Sequence, residues 1–480
     1  MRFGEPTVFL AKACLMNKPV AAVLRLTPQD AEDFIAQDQK IEASITQDGI
    51  ARLFAAKYSG QLRYCHDAGR WFEWTGTHWT QDKTDAAFEF VRVLAREISE
   101  TADAKIVKQV RQVAFARGVE TFARSDPAFA VTSASWDRDK FLLGTPAGTV
   151  DLRTGRLQHG SSDDGITKVT AAAPADTADC PLFERFLVET TGGDRDLIRF
   201  LQKWFGYSLT GDIREHALSF GYGPGGNGKG VLLNTIVGIM GDYAVVAPAD
   251  TFTASIGDRH PTDVAMLRGA RMVAASETEN GRKWAESRIK SLTGGDPVTA
   301  RFMRRDFFTF MPEFKIFMVG NHEPTLDTVD DAARRRINII PFLHKPAYTD
   351  NELTDKLRSE WPAILRWAID GCLDWQYSGL SRPKSVLDAT ADYFEDQDLF
   401  GQWLDDCCEI SPANDRMFET SAALYKSWCR YSNAAGEKPG TKKAFAALLK
   451  RRKVSEARTK AARGFVGITL NDVDDVSDLI

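Results

Sequence analysis

Eight consecutive residues constrain this chain more than any other stretch: Gly223, Pro224, Gly225, Gly226, Asn227, Gly228, Lys229 and Gly230. They follow an apolar run at 217–222. They precede a helical pattern that begins near Lys229 and carries Val231, Leu232, Thr235, Ile236 and Ile239 on its way. Strand, glycine-rich loop and helix in that order form the context of a phosphate-binding P-loop. Glycines let backbone N–H groups turn inward around phosphates, and a helix N-terminus adds a favourable dipole. A lysine at the position of Lys229 supplies a point charge to the β- and γ-phosphates. The expected ligand of residues 223–230 is therefore ATP. One position departs from the usual pattern: Gly230 stands where Ser or Thr normally holds Mg2+, so one metal ligand is missing. A glycine-rich turn that binds no nucleotide is the plain alternative.

A phosphate loop specifies a nucleotide and little else, so the polar residues beyond it matter. Residues 271–276 read as a buried strand that ends in Glu277-Thr278-Glu279. In extended chain two residues apart point to the same side. Carboxylates at such a strand end can hold magnesium and polarise an attacking water. Glu277 is assigned to the metal and Glu279 to the water, against the alternative of a solvated acidic strand end. A second apolar strand, 315–319, ends at Gly320-Asn321, and the Asn321 amide can bond a γ-phosphate or that water. An asparagine after a strand is also an ordinary turn residue. Asp330-Asp331-Ala332-Ala333-Arg334-Arg335-Arg336 then precedes the apolar run 337–342. Three arginines there form either a solvated face or a source of an arginine finger for a neighbouring subunit's ATP.

The net charge of −5 argues against a wholly basic nucleic-acid coat, but charge is unevenly placed. Between Lys438 and Arg463 stand ten Lys or Arg and one acid, Glu456, after which Asp472, Asp474, Asp475 and Asp478 reverse the sign. Seven cysteines without CxxC spacing and seven histidines without an HExxH pair give no zinc signature and suit a reduced, cytoplasmic protein. No apolar run approaches the ~18–20 residues that span a bilayer, so no membrane partner is expected.

Along the chain, helical spacing covers 50–58, 88–98 and 182–209, and short strands surround turns at 75–77, 146–148 and 153–155. Residues 159–181, rich in Gly, Ser, Asp, Ala and Pro, read as a linker. Strands alternate with helices from about 217 to 342, an α/β pattern. Helices are expected at 418–434 and 442–452, with a strand pair over 454–470 around Arg463-Gly464. Trp71, Trp74 and Trp79 in the early strands are either core or a platform for stacking bases.

The GPGGNGKG loop, the SETE strand end, the segment Leu292-Thr-Gly-Gly-Asp-Pro-Val-Thr-Ala-Arg301, the VGN strand end and the triple arginine occur in that order. This order resembles the superfamily 3 helicase domain of phage and plasmid primase–helicases, related to the poxvirus primase–helicase. The patterns 71–79 (WFEWTGTHW), 145–156 (TPAGTVDLRTGR) and 201–211 (LQKWFGYSLTG) are similar to that family's helicase-associated N-terminal region. The resemblance covers about residues 45–470. It implies an α/β fold class with a mixed α+β N-terminal region, a central AAA+-like P-loop ATPase domain and a C-terminal winged-helix-like domain. The expected boundaries are 1–45, an irregular segment; 46–180, the helicase-associated domain and linker; 181–215, a helical collar; 216–395, the ATPase domain; and 396–480, the winged helix with its acidic tail.

The resemblance further implies an ATP-dependent DNA helicase in phage or plasmid replication, working as a hexameric ring with ATP at subunit interfaces. Lys229, Glu277, Glu279 and Asn321 then line one subunit's site, and Arg335 or Arg336 is the finger from its neighbour, Arg335 being favoured. A channel hairpin built from 298–303 and 307–311 would carry Arg301, Arg304 and Arg305 to single-stranded or forked DNA, unless it is an edge hairpin charged for solubility. Lys442, Lys443, Arg451 and Arg452 of the basic segment are expected on phosphates, with a protein-binding module as the alternative. The stretch before residue 45 lacks the acids and histidines of a primase, so a separate chain is expected to supply one. Competing classes are an ATPase that assembles on origin DNA without unwinding, a DNA-binding protein with a degenerate motor, and, more distantly, a small-molecule kinase.

Overall fold

The computed structural model describes residues 45–471 apart from 101, 255–261, 278–280, 327–328, 347, 413, 415, 460 and 461. The segment expected to be irregular, 1–45, and the acidic tail lie outside the described residues except for Ile45.

The chain begins with helix α1 (Gln47–Tyr58), capped by Thr46, whose side chain accepts from Gly49 N. Strands β1 (Leu62–Cys65), β2 (Arg70–Trp74) and β3 (Trp79–Gln81) follow, then helices α2 (Ala86–Ser99), α3 (Ala104–Val110) and α4 (Val113–Arg124), and strand β4 (Ala130–Val131). The sheet order is β3-β2-β1-β4, with β1–β4 parallel. Its core gathers Phe54, Tyr64, Trp71 and Phe129 under α1, α2 and α4. Trp71 and Trp79 are buried and Trp74 is half-buried, so the first two belong to packing.

An antiparallel meander, β5 (Leu142–Thr145), β6 (Gly148–Asp151) and β7 (Arg156–Gln158), comes next. Its Leu143, Val150 and Leu152 do not join the first core. They pack with helices α5 (Pro181–Thr191) and α6 (Arg195–Ser208), so residues 46–180 serve two cores. The stretch read as a linker, 159–181, is a strap bonded through its main chain to three neighbours. Trp79 N donates to Ile166 O, Thr170 N to Gly144 O and Ala171 N to Ile239 O. Its small polar residues carry no apolar periodicity, and main-chain bonding leaves no trace in composition.

The central unit contains β8 (Leu218–Tyr222), α7 (Lys229–Met240), β9 (Ala244–Val246), α8 (Thr262–Ala265), β10 (Met272–Glu277), α9 (Glu286–Gly294), the hairpin β11 (Val298–Ala300) and β12 (Phe308–Phe310), β13 (Lys315–Gly320), α10 (Asp331–Arg336) and β14 (Ile337–Pro341). Five of these strands form one parallel sheet in the order β14-β8-β13-β10-β9. Parallel sheets are buried on both faces, and the alternation along each strand divides two cores. Met272, Ala274, Phe317 and Val319 face α6, α7 and the long helix over Trp361–Ser378, while Val273, Ala275, Ile316 and Met318 face Trp284, Phe310 and Tyr393. After β14 come α11 (Leu353–Leu357), α12 (Trp361–Ser378) and α13 (Lys384–Asp396).

Two buried cations fasten α6 to this sheet. Arg271 donates to Leu209 O (2.8 Å) and Leu142 O (2.7 Å), and Lys315 to Thr210 O and Asp212 O (3.1 Å). Carbonyls just past a helix C-terminus favour positive partners. Burial, with Arg271 next to it, holds the Lys315 ammonium well below its ordinary range.

The C-terminal unit holds α14 (Leu399–Cys407), β15 (Cys408–Ile410), β16 (Phe418–Thr420), α15 (Ser421–Ala434), α16 (Lys442–Arg451), β17 (Ser455–Arg458), β18 (Arg463–Val466) and β19 (Ile468–Leu470) around Trp403, Trp428, Phe445 and Phe465. Two expectations are corrected here. Residues 418–420 are a strand paired to β18, and the helix starts only after its cap, Thr420. Arg463-Gly464 is not a turn but lies inside β18, where a Cβ on Gly464 would stand 2.1 Å from Glu419 O. The glycine marks a close strand approach instead of a reversal. No helix among the described residues is long and apolar enough to cross a membrane.

Candidate functional site

Register decides which residues can meet. Tyr222, Gly320 and Glu277, the last residues of β8, β13 and β10, stand in one row, with Pro341 of β14 beside Tyr222. The segments that leave these strands therefore emerge at one rim, the place where open parallel sheets build their sites. The loop 223–228 and Asn321 both arise there.

The loop is shaped by its glycines at two positions that admit no side chain. Gly223 has φ +147°, and a Cβ on it would lie 2.0 Å from Phe342 O; Gly228 has φ +85°, and a Cβ would lie 2.4 Å from Thr190 Cγ2 of α5. Gly225, Gly226 and Gly230 face open space. No side chain caps the N-terminus of α7. Asn227 is buried and bonds both ways, donating Nδ2–H to Phe342 O and accepting at Oδ1 from Lys229 Nζ at 2.9 Å.

Lys229 is 6% exposed. Its ammonium also donates to Gly223 O (2.6 Å), Pro224 O (3.1 Å) and Asn321 Oδ1 (3.3 Å). Burial lowers its pKa from the ordinary lysine value. The loop thus holds a desolvated cation against an asparagine from the neighbouring strand, with room beside it. That arrangement fits a polyanion such as a nucleotide's phosphates. Glu277 closes β10 at the same rim; its side chain and all of Glu279 lie outside the described residues. Among the described residues no group of three or more His, Cys, Asp or Glu is arranged to hold a metal.

Arg335 and Arg336 are not brought to Lys229. They precede β14, which runs parallel to β8, so they sit at the opposite rim, about 16 Å away at ~3.3 Å per residue. Arg335 is exposed. Arg336 is half-buried and folds back to Ala332 O at 3.0 Å, and burial and then Arg335 lower its guanidinium pKa.

The hairpin β11–β12 presents Arg304 (φ +58°) and Arg305, both exposed, in its connection. Arg301 lies beside the Phe307 ring, 4.7 Å from its centroid. The tip is as apolar as it is basic: Phe302, Met303 and Phe307 are 43–66% exposed. Sequence reasoning singled out only the arginines, although the run Phe302-Met303-Arg304-Arg305 carries both signals. Lys442 and Lys443 are exposed at the start of α16, whereas Arg451 and Arg452 stand at its far end, about 15 Å on at 1.5 Å per residue. Arg452 is committed to Asp398. These four form no single cluster.

Comparison with known proteins gives two family matches. Residues 51–192 match a family described as D5 N terminal like, and residues 221–336 match a family of unknown function, DUF5906. Among curated proteins, the chain is 26% identical over 371 residues to "Putative helicase L207/L206" of Acanthamoeba polyphaga mimivirus, covering 70% of this chain and 38% of that protein. It is 23% identical over 268 residues to "Putative helicase 022R" of Frog virus 3 (isolate Goorha), covering 51% of this chain and 27% of that protein. The chain therefore spans well under half the length of these relatives. Among solved structures, the apo NrS-1 C-terminal region (305-718) aligns with 89% of this chain and 100% of its own at a TM-score of 0.48 and 10% identity, too loose a likeness to argue from.

Proposed function

We propose that this chain is a D5-type, superfamily 3 DNA helicase that hydrolyses ATP at the interfaces of a head-to-tail, hexameric ring in phage or plasmid replication. The observation that carries the proposal is the Lys229 ammonium, set between the glycine-rich loop and Asn321 at the carboxyl rim of the parallel sheet. The D5 match and the viral relatives named as helicases support the same reading. The sheet order β14-β8-β13-β10-β9 agrees with an AAA+-like P-loop ATPase, and the small C-terminal unit with a winged helix.

In this reading Lys229 exchanges loop carbonyls for the β- and γ-phosphates of ATP, and the uncapped start of α7 receives them. Asn321 orients the attacking water or the γ-phosphate. Glu277, and Glu279 beyond it, supply the carboxylates for metal and water. Bound Mg2+ would neutralise phosphate charge, with Gly230 contributing no ligand. Arg335, a strand length from its own Lys229, serves the neighbouring subunit, where such a finger contributes ~10³–10⁵ in rate. The hairpin with Arg301, Arg304 and Arg305 takes single-stranded or forked DNA in the channel, and Lys442, Lys443 and Arg451 add phosphate contacts.

The test is ATP turnover by the protein and by Lys229→Ala, each with and without single-stranded DNA, together with strand displacement on a fork. Turnover that DNA stimulates, that the variant loses, and that accompanies displacement is expected. Turnover with no displacement would leave an ATPase that loads on DNA. No turnover with intact DNA binding would overturn the motor.

A further inference from the structure

Helix α10 carries the arginines on only six residues, too few to hold its own ends. Its start is fixed by Asp330, which accepts from Ala333 N at 2.7 Å and is itself gripped by Lys290 at 2.7 Å. Its last carbonyls have no partner within the helix. One of them is met from far along the chain: Arg382 Nη2 donates to the main-chain oxygen of Arg335 at 2.7 Å.

Arg382 is well placed for that task. It is half-buried in the connection between α12 and α13, next to Ser381, which has φ +47° and bonds to Ser378 O at 2.8 Å. Burial lowers the Arg382 guanidinium pKa and the charge of Glu215 opposes that lowering, while Trp375 Nε1 holds Glu215 at 2.7 Å. Helix α13 fastens the adjoining strand from another side, since Thr390 Oγ1 accepts from Ile339 N at 3.0 Å. The three arginines of α10 differ in what they touch. Arg334 lies over the Phe394 ring, Arg336 turns back onto Ala332 O, and Arg335 is exposed with its carbonyl pinned.

We infer that Arg382 is a positioning residue for hydrolysis: by clamping the last turn of α10 it aims Arg335 at the nucleotide of the adjacent subunit. The inference rests on the trans-acting role proposed for Arg335. It assigns the finger to Arg335 and gives Arg336 and Arg382 supporting parts. The clamp is a hydrogen bond to a carbonyl, so lysine, whose ammonium donates at nearly the same reach, serves it in part.

The experiment compares Arg335→Ala, Arg382→Ala and Arg382→Lys in full-length protein by kcat, KM for ATP, nucleotide affinity and thermal midpoint. Arg382→Ala is expected to lower kcat at least ~10-fold, part of the ~10³–10⁵ credited to a trans arginine, with KM and nucleotide affinity little changed. Arg382→Lys is expected to recover much of that loss. Adding Lys229→Ala subunits, which bring an intact Arg335 and Arg382, is expected to raise turnover by Arg382→Ala subunits. If Arg335→Ala turns over ATP normally, the trans arginine itself fails. If Arg335→Ala is inactive while Arg382→Ala is normal, only the clamp fails. Equal losses in kcat and nucleotide affinity, or a Lys variant no better than Ala, would also overturn it.

Discussion

Asn321 Oδ1 and Lys229 Nζ lie 3.3 Å apart, although 92 residues separate them in the chain. They meet because β13 lies beside β8 with Gly320 opposite Tyr222, so the residues that leave the two strands share a rim. Lys229 adds Asn227 Oδ1 at 2.9 Å, and two asparagines therefore share one buried ammonium.

Asn321→Leu removes an acceptor of similar bulk from that cation and the amide that would face the phosphates. The expected result is a fall in kcat of about 10²-fold, the scale of one lost polar group at a reacting centre, with a smaller change in KM. Steady-state turnover measures it. Parental kcat would return Asn321 to the status of a turn residue.

Gly230→Ser restores the hydroxyl usual after a phosphate-loop lysine. A Cβ there meets nothing within 4 Å, so the substitution fits. Serine is also a slightly better helix former than glycine, by about 0.5 kcal/mol, so the thermal midpoint should hold or rise a little. Half-maximal turnover should require less magnesium. An unchanged magnesium titration in a folded variant would show that the metal is not held at this position.

Glu323 lies two residues beyond Asn321, and burial, reinforced by Asp396, pushes its carboxyl up to about 7. The folded protein thus keeps a proton that the unfolded chain releases in the ordinary carboxylate range. Stability contributed by the protonated form is present at low pH and is lost as pH rises toward and through about 7. Glu323→Gln cannot ionise, so its thermal midpoint should exceed the parent's at about pH 8, and the gap should narrow toward about pH 5. A gap independent of pH would mean that Glu323 is an ordinary surface carboxylate.

The hairpin tip separates two kinds of contact. Arg304→Ala with Arg305→Ala should weaken single-stranded DNA binding and flatten its dependence on salt by roughly one unit of slope per phosphate lost. Phe307→Ala should weaken binding by about 1–3 kcal/mol without changing the slope, since stacking releases no counterions. Fluorescence anisotropy at several salt concentrations distinguishes them. Parental affinity in both variants would remove the hairpin from the DNA path.

Much of the fold was legible because its signals are local. Helical spacing marks α1, α2, α7 and α16 within a few residues, and glycine spacing marks the loop without reference to any tertiary contact. Where a residue has two uses, local pattern chose wrongly: Gly464 looks like a turn and is a strand approach, and 159–181 looks like a linker and is a strap.

The sequence by itself determined the phosphate loop, the strand–helix alternation around it and the reserve of basic residues near the C-terminus, since each is written in neighbouring positions. Only the tertiary structure decided that Lys229 meets Asn321, that the arginines lie on the other rim, that Arg382 reaches Arg335 across 47 residues, and that Arg271 and Lys315 are buried on the carbonyls after α6. The physical reason is that strand order and register in a parallel sheet are set by the packing of both faces against helices distant in sequence. No residue's neighbours along the chain carry that information.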